Sequence, residues 1–141
     1  MLAKLLIALG SMLGLNRPAT MRPANIPPDD TRLLAAIQQV ESHGNDWAIG
    51  DSGHARGPYQ IHEAYWRDAC EFGGVYWHYR TDAFRLDRAT RVVRWYWQRY
   101  APPGATDEVK ARIHNGGPRG HLNPATRSYW RNVQRELERT R

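Results

Sequence analysis

Helix breakers dominate the way this chain can be read. Pro27–Pro28, Gly44, Gly73–Gly74, Pro102–Pro103 and the run NGGPRG (residues 115–120) cut it into short segments, each with its own start and stop. Between the breakers, apolar residues recur at helical spacing. Leu33, Leu34, Ile37 and Val40 form the stripe of a first helix, which Asp29, Asp30 or Thr31 can cap and Gly44 ends. HEAYWRDACEF (62–72) predicts a second helix ended by Gly73–Gly74, and DRATRVVRWYWQRYA (87–101) a longer one stopped by Pro102–Pro103. TDEVKARIH (106–114) predicts a helix capped by Thr106, followed by a glycine-rich loop, and PATRSYWRNVQRELE (124–138) predicts the last. One stretch breaks the pattern. In WAIGDSGHARGPYQI, Gly50, Gly53 and Gly57 flank the short apolar pieces Trp47–Ile49 and Tyr59–Ile61, which predicts a small hairpin or irregular sheet near residues 46–61. About five helices around one small β segment make an α+β domain dominated by helix.

Nothing in the sequence can staple such a domain. Its one cysteine, Cys70, cannot form an intramolecular disulfide and reads as a small, half-buried apolar residue. No spacing of His and Cys suggests a metal site, and we expect neither metal nor cofactor. Six Trp and seven Tyr against two Phe supply large apolar faces with polar edges, suited to a core and to ligand grooves alike. Net charge is +6 with a pI near 9.9, which favours a polyanionic partner. The arginines of residues 80–99 scatter over several helix faces, however, so the charge reads as a solvated surface with some electrostatic steering. At the N-terminus, Lys4 precedes an apolar run of eleven residues, too short to span a bilayer and similar to a secretory signal. We therefore expect a leader over residues 1–20, a Pro-rich linker over 21–30 and one folded domain over 31–141. Translation from Met21 is the competing reading of that leader.

Two carboxylates set the question of chemistry. Glu41 follows Ile37 by four residues and Leu34 by seven, so it lies at the edge of the first helix's apolar stripe. A carboxyl group against apolar neighbours is costly to ionise and can stay protonated to act as a proton donor. A frayed, solvated last turn would accommodate the same residue. Ten residues later Asp51 sits in the turn GDSG, where its side chain can bond its own backbone and stay ionised. One shielded acid and one ionised acid facing each other across a cleft is the arrangement that cleaves glycosidic bonds.

At GPYQIHEAYWRD and ARIHNGGPRG, with TRSYWRNVQ downstream, the sequence resembles the invertebrate-type lysozymes, or destabilase family, over roughly residues 33–135. That resemblance implies a lysozyme-like fold and cleavage of the β-1,4 bond after N-acetylmuramic acid in peptidoglycan. It also implies Glu41 as general acid and Asp51 as second carboxylate, with Asp46 as the fallback where the shorter loop shifts the alignment. Tyr59, Gln60, His62 and Tyr65 match the segment that lines the cleft. His114, Asn115 and Gly116 match the loop that closes its other side, although His114 also suits a helix end, bonding nearby carbonyls. Tyr129 and Trp130 are adjacent on a helix, so one faces the core and the other the cleft. The family is rich in disulfides; here Ala69 occupies the cysteine position of the YW-D-C element and Cys70 follows. A core of Trp47, Trp66, Trp95, Trp97 and Trp130 with aliphatics is expected in place of staples.

The expected activity is that of a muramidase, a retaining glycosidase acting on peptidoglycan or chitooligosaccharide. A lytic transglycosylase using Glu41 alone shares the ES…AIG…QI run, and its product would carry an anhydro end instead of a reducing one. A non-catalytic, basic cell-wall-binding module is the rival of another class. No nucleic-acid motif, phosphate-loop spacing or clustered basic face is present. We expect a monomer that meets an anionic cell wall without inserting into a membrane, secreted or periplasmic, with a cytoplasmic endolysin-like location as the alternative. Isopeptidase chemistry maps onto no residues of this chain.

Overall fold

In the computed structural model the first helix, α1, spans Thr31–Ser42 and buries Leu33, Leu34 and Ile37. The structure describes residues 29–140, so the leader expected over 1–20 and most of the expected linker lie outside the described residues. Asp30 already belongs to the packed domain. It holds the N-cap position of α1, but its carboxylate is turned to Arg94, whose Nη2 approaches Oδ1 to 2.7 Å. Asp29 bonds the helix start instead, its Oδ1 accepting the Thr31 N–H at 3.2 Å. The other end turns one residue earlier than Gly44: His43 adopts a left-handed conformation (φ 53°) and donates its N–H to the Gln39 carbonyl.

The β segment is a three-stranded antiparallel sheet of two-residue strands: β1 (Ile49–Gly50), β2 (Ala55–Arg56) and β3 (Ile61–His62). The strands sit later than the predicted apolar pieces, because Trp47 and Tyr59 fall outside them and left-handed backbone at Gly57 (φ 78°) and Gln60 (φ 48°) turns the chain between β2 and β3. Ile49 pairs with Arg56 and Arg56 with Ile61, while Gly50 pairs with Ala55 and Ala55 with His62. Paired residues project to the same side, so Gly50, Ala55 and His62 share one face of the sheet and Ile49, Arg56 and Ile61 the other. A Cβ at Gly50 would lie 2.3 Å from Gln60 Oε1, so the Gln60 amide would have to move to admit one.

Helix α2 (Glu63–Gly73) packs against α4 (Leu86–Tyr100), and the single-turn α3 (Tyr79–Asp82) lies between them in sequence. Helix α5 (Asp107–Gly116) starts on the predicted Thr106 cap, whose hydroxyl accepts the Val109 N–H at 3.3 Å. A last helix, α6 (Arg127–Arg139), follows a 3-10 turn at Pro124–Thr126 and packs on α1 and α5. Among the described residues six α-helices accompany one small sheet. Helix α5 sits at the centre, with Ala111 and Ile113 fully buried, and continues to Gly116, so residues predicted as loop form its last turn. Arg112 anchors the chain beyond it: Nε donates to Thr126 Oγ1 at 2.9 Å, Nη2 to the Asn123 carbonyl at 3.1 Å, and Nη1 pairs with Glu108.

The core joins Ile37, Val92, Val93, Ile113 and Val133 to Trp66 and Trp97, whose indole N–H groups donate to the carbonyls of Trp77 and Lys110. Trp95 and Trp130 pack against that core half-buried. Trp47 does not join it. It is 75% exposed, because it precedes β1 on the outer side of the sheet. Cys70 is buried with a free thiol, and burial pushes that thiol's pKa up.

Candidate active site

A cleft of about 480 Å³ opens between the sheet and the helices, lined by Glu41 and Asp51 together. Its sheet wall is Ala55, Gln60, Ile61 and His62; its helical wall is Tyr65, Tyr96, His114 and Asn115, with Gly117 at the rim. The residues come from the end of α1, the turn after β1, the start of α2, the middle of α4 and the end of α5.

The two carboxylates stand in unlike surroundings. Glu41 retains 19% side-chain exposure, and its Oε1 accepts the Tyr129 hydroxyl at 2.8 Å. His114 Nε2 lies 3.5 Å from the same oxygen. Among the described residues no donor engages Oε2. Asp51 is 62% exposed on a strained turn (φ 47°), a conformation that Asp tolerates better than most residues. Its Oδ2 lies 3.1 Å from His62 Nε2.

Behind Glu41 lies a chain of buried polar groups. His114 Nε2 meets the Tyr59 carbonyl at 3.0 Å, and a carbonyl can only accept, so the ring carries its proton on Nε2. In the neutral ring Nδ1 then accepts from the Tyr65 hydroxyl at 3.2 Å. Tyr65 stacks on Tyr96 with ring centroids 3.6 Å apart and 13° between planes. Burial pushes the Tyr129 and Tyr65 phenols well above their usual range, and the negative charge of Glu41 adds to both. Burial also pushes Tyr96 up to about 12. These phenols stay protonated at physiological pH and remain donors.

Of the residues singled out in the sequence, Glu41, Asp51, Gln60, His62, Tyr65, His114 and Asn115 come together at the cleft. The Tyr59 side chain does not: it is 3% exposed in the core, with its hydroxyl on Thr90 at 2.9 Å, and only its carbonyl supports the site. Gly116 faces away, since a Cβ there would meet Thr126 at 2.5 Å; Gly117 takes the place at the rim. Gln60 works largely within the sheet, its amide donating to the carbonyls of Ala48 and Gly57. Asp46 lies off the cleft, its carboxylate accepting from the Gln38 amide at 3.2 Å. His114 and Asn115 close the cleft from the last turn of α5 instead of from a loop.

Two residues of the site escape sequence reasoning as functional. Tyr96 is one aromatic among several in α4 with no local signal to separate it. Tyr129 carried one clue, its place beside Trp130 where only one of the pair can face the core.

Comparison with known proteins places the chain. The sequence profile of the family described as Destabilase matches residues 30–136. Lysozyme 1 of Crassostrea virginica is 42% identical over 110 residues, covering 73% of this chain and 57% of that protein. A lysozyme of Ostrea edulis is 39% identical over 83 residues and 58% of its own length, so the chain spans somewhat more than half of these oyster relatives. Lysozyme of Meretrix lusoria is 39% identical over 109 residues, covering 74% of this chain and 87% of that protein. Among solved structures, Meretrix lusoria lysozyme in complex with Aeromonas hydrophila PliI superposes with a TM-score of 0.64 at 35% identity, over 74% of this chain and 87% of that one. Tapes japonica lysozyme gives 0.62 at 29% identity, over 73% and 86%. Every residue of the cleft falls within the matched segment, and the chain belongs to the destabilase family, that of the invertebrate-type lysozymes.

Proposed function

We propose that the chain is a muramidase that hydrolyses the β-1,4 bond between N-acetylmuramic acid and N-acetylglucosamine in peptidoglycan, with retention at the anomeric carbon. One observation carries the reading: Glu41 and Asp51, a shielded and an exposed carboxyl group, line one cleft. The relatives' names as lysozymes support it.

Glu41, in its protonated form, hands its proton to the glycosidic oxygen as the bond to the anomeric carbon breaks. The Tyr129 hydroxyl occupies Oε1 as donor. The transferable proton therefore sits on Oε2, the oxygen with no donor on it. Asp51 attacks the anomeric carbon from the opposite face, and the sugar remains attached to its carboxylate as a glycosyl ester. Glu41, now ionised, takes a proton from a water that attacks the same carbon, releasing Asp51 and restoring both groups. His62 holds the free Asp51 carboxylate in place, and the stacked Tyr65–Tyr96 pair gives the sugar a rigid aromatic wall. His114, held by Tyr59 and Tyr65, supports the Glu41 side of the cleft.

The work is outside the cytoplasm, consistent with the apolar N-terminal run, and a single chain holds all the groups used. Among the described residues no helix is long and apolar enough to cross a membrane. Mass spectrometry of peptidoglycan fragments tests the reading. The wild type should release fragments with reducing ends, and Glu41→Gln, folded, should lose about 10²–10⁴-fold in rate because the amide cannot donate the proton. Anhydro-muramic ends would instead mark a lytic transglycosylase.

A further inference from the structure

The small sheet has two faces: Ala55 and His62 of one line the cleft, and on the other Ile61 is buried at the cleft's edge while Ile49 remains exposed. On the outer face Ile49 and Arg56 stand side by side in the register, and Trp47, in the turn before β1, shares the Phe84 ring with Arg56. Trp47 stacks on Phe84 with centroids 5.5 Å apart and 23° between planes. Ile49 beside it is 59% exposed. The Arg56 guanidinium carbon lies 5.8 Å from the Phe84 ring centre and 5.7 Å from that of Tyr79. Its Nε is buried without a hydrogen-bond partner. Arg85 pairs with Asp87, Arg88 with Asp82 and Arg94 with Asp30. Among the described residues Arg56 has no carboxylate within ion-pair reach.

An exposed Trp or Ile alone is ordinary surface. Here the two stand two residues apart in the chain, the indole is stacked on a second ring, and a cation between aromatics has no counter-ion among the described residues. A flat apolar face packs on the C–H face of a sugar ring, and a guanidinium donates to a carboxylate in a forked pair. We propose that this outer face is a second glycan-binding site, taking a carboxylate-bearing stretch of wall polymer, with the sugar on Trp47 and Ile49 and the carboxylate on Arg56. The proposal rests on the reading of the cleft as a site that cleaves such a polymer. The two sites share strands, so they lie back to back across the sheet. A short oligosaccharide in the cleft does not reach the outer face, whereas a wall offers it a neighbouring strand.

The experiment separates binding from cleavage. In the full chain carrying Glu41→Gln, co-sedimentation with insoluble peptidoglycan should weaken on the order of tenfold with Trp47→Ala, the scale of one lost aromatic contact. Arg56→Gln should weaken it too, and Arg56→Lys should restore part of the binding. In the active enzyme, Trp47→Ala should leave hydrolysis of a soluble chitooligosaccharide within about twofold of wild type. Unchanged sedimentation of a folded Trp47→Ala protein overturns the proposal, and a lowered melting temperature alongside it assigns Trp47 to packing. Trp47-dependent binding to anionic lipid vesicles but not to peptidoglycan also overturns it. Failure of the wild type to cleave either substrate would refute the cleft reading alone, because sedimentation is measured without turnover.

Discussion

Glu41 leaves α1 on its last turn and meets Tyr129 from the far end of the chain, 88 residues away, at 2.8 Å. The phenol is held protonated by its burial, so it donates to Oε1 whatever the state of the acid. Tyr129→Phe keeps the ring and its packing and removes only this bond. A hydrogen bond to a charged group contributes about 1.5–3 kcal/mol, so kcat should fall roughly 10–100-fold. KM should change little and the near-ultraviolet circular dichroism should match wild type. A variant with unaltered kcat would remove Tyr129 from the positioning of the acid. Spacing on α1 put Glu41 at the edge of the apolar stripe and turn chemistry suited Asp51, while the family resemblance supplied the role expected of each. Periodicity on α6 could not choose between Tyr129 and Trp130, because the partner that decides it is distant in sequence. Tyr59 went the other way: its neighbours reach the cleft, but its ring enters the core towards Thr90.

At the scale of elements, the breakers made most of the helices legible, since each of the five predicted segments holds a helix in the structure. Helix α3 was not, because one turn of four residues carries no period; it is held by the Asp82 carboxylate accepting the His78 N–H at 2.7 Å. The sheet was legible as glycine-punctuated β structure, but its strands were not, since two-residue strands are set by what they pack against. Gly57 is the clearest case. Its φ is 78°, and a Cβ would lie 1.9 Å from the Ala83 carbonyl oxygen, a backbone atom that cannot swing aside. Gly57→Ala should therefore cost at least about 3 kcal/mol, strain and displacement together. Urea unfolding of the variant measures this directly, and a loss below about 1 kcal/mol would show that the turn between β2 and β3 yields easily.

The whole molecule is held by aromatics and aliphatics around α5, without a disulfide, and that use of tyrosine leaves a mark on its pH dependence. Tyr59, Tyr65, Tyr79, Tyr96 and Tyr129 all have raised pKa values, chiefly through burial, Tyr96 reaching about 12 from an ordinary 10.0. The unfolded chain loses these protons first. Stability from each phenol is thus complete below about pH 10 and falls above it by about 1.4 kcal/mol per pH unit until the folded-state value is passed. Tyr96→Phe should make the decline between pH 10 and 12 shallower by about that amount, measured by urea titrations at each pH; identical slopes would contradict it. Composition announced this aromatic core but not its membership, for Trp47 lies outside it on the sheet's outer face. The central claim is that two unlike carboxyl groups act on one sugar bond in one cleft, and proton NMR of the first product formed, before mutarotation, tests it most directly. The account predicts a β anomer, with Asp51→Asn nearly inactive and Asp46→Asn close to wild type. An α anomer, or an anhydro product from a still active Asp51→Asn, would contradict it.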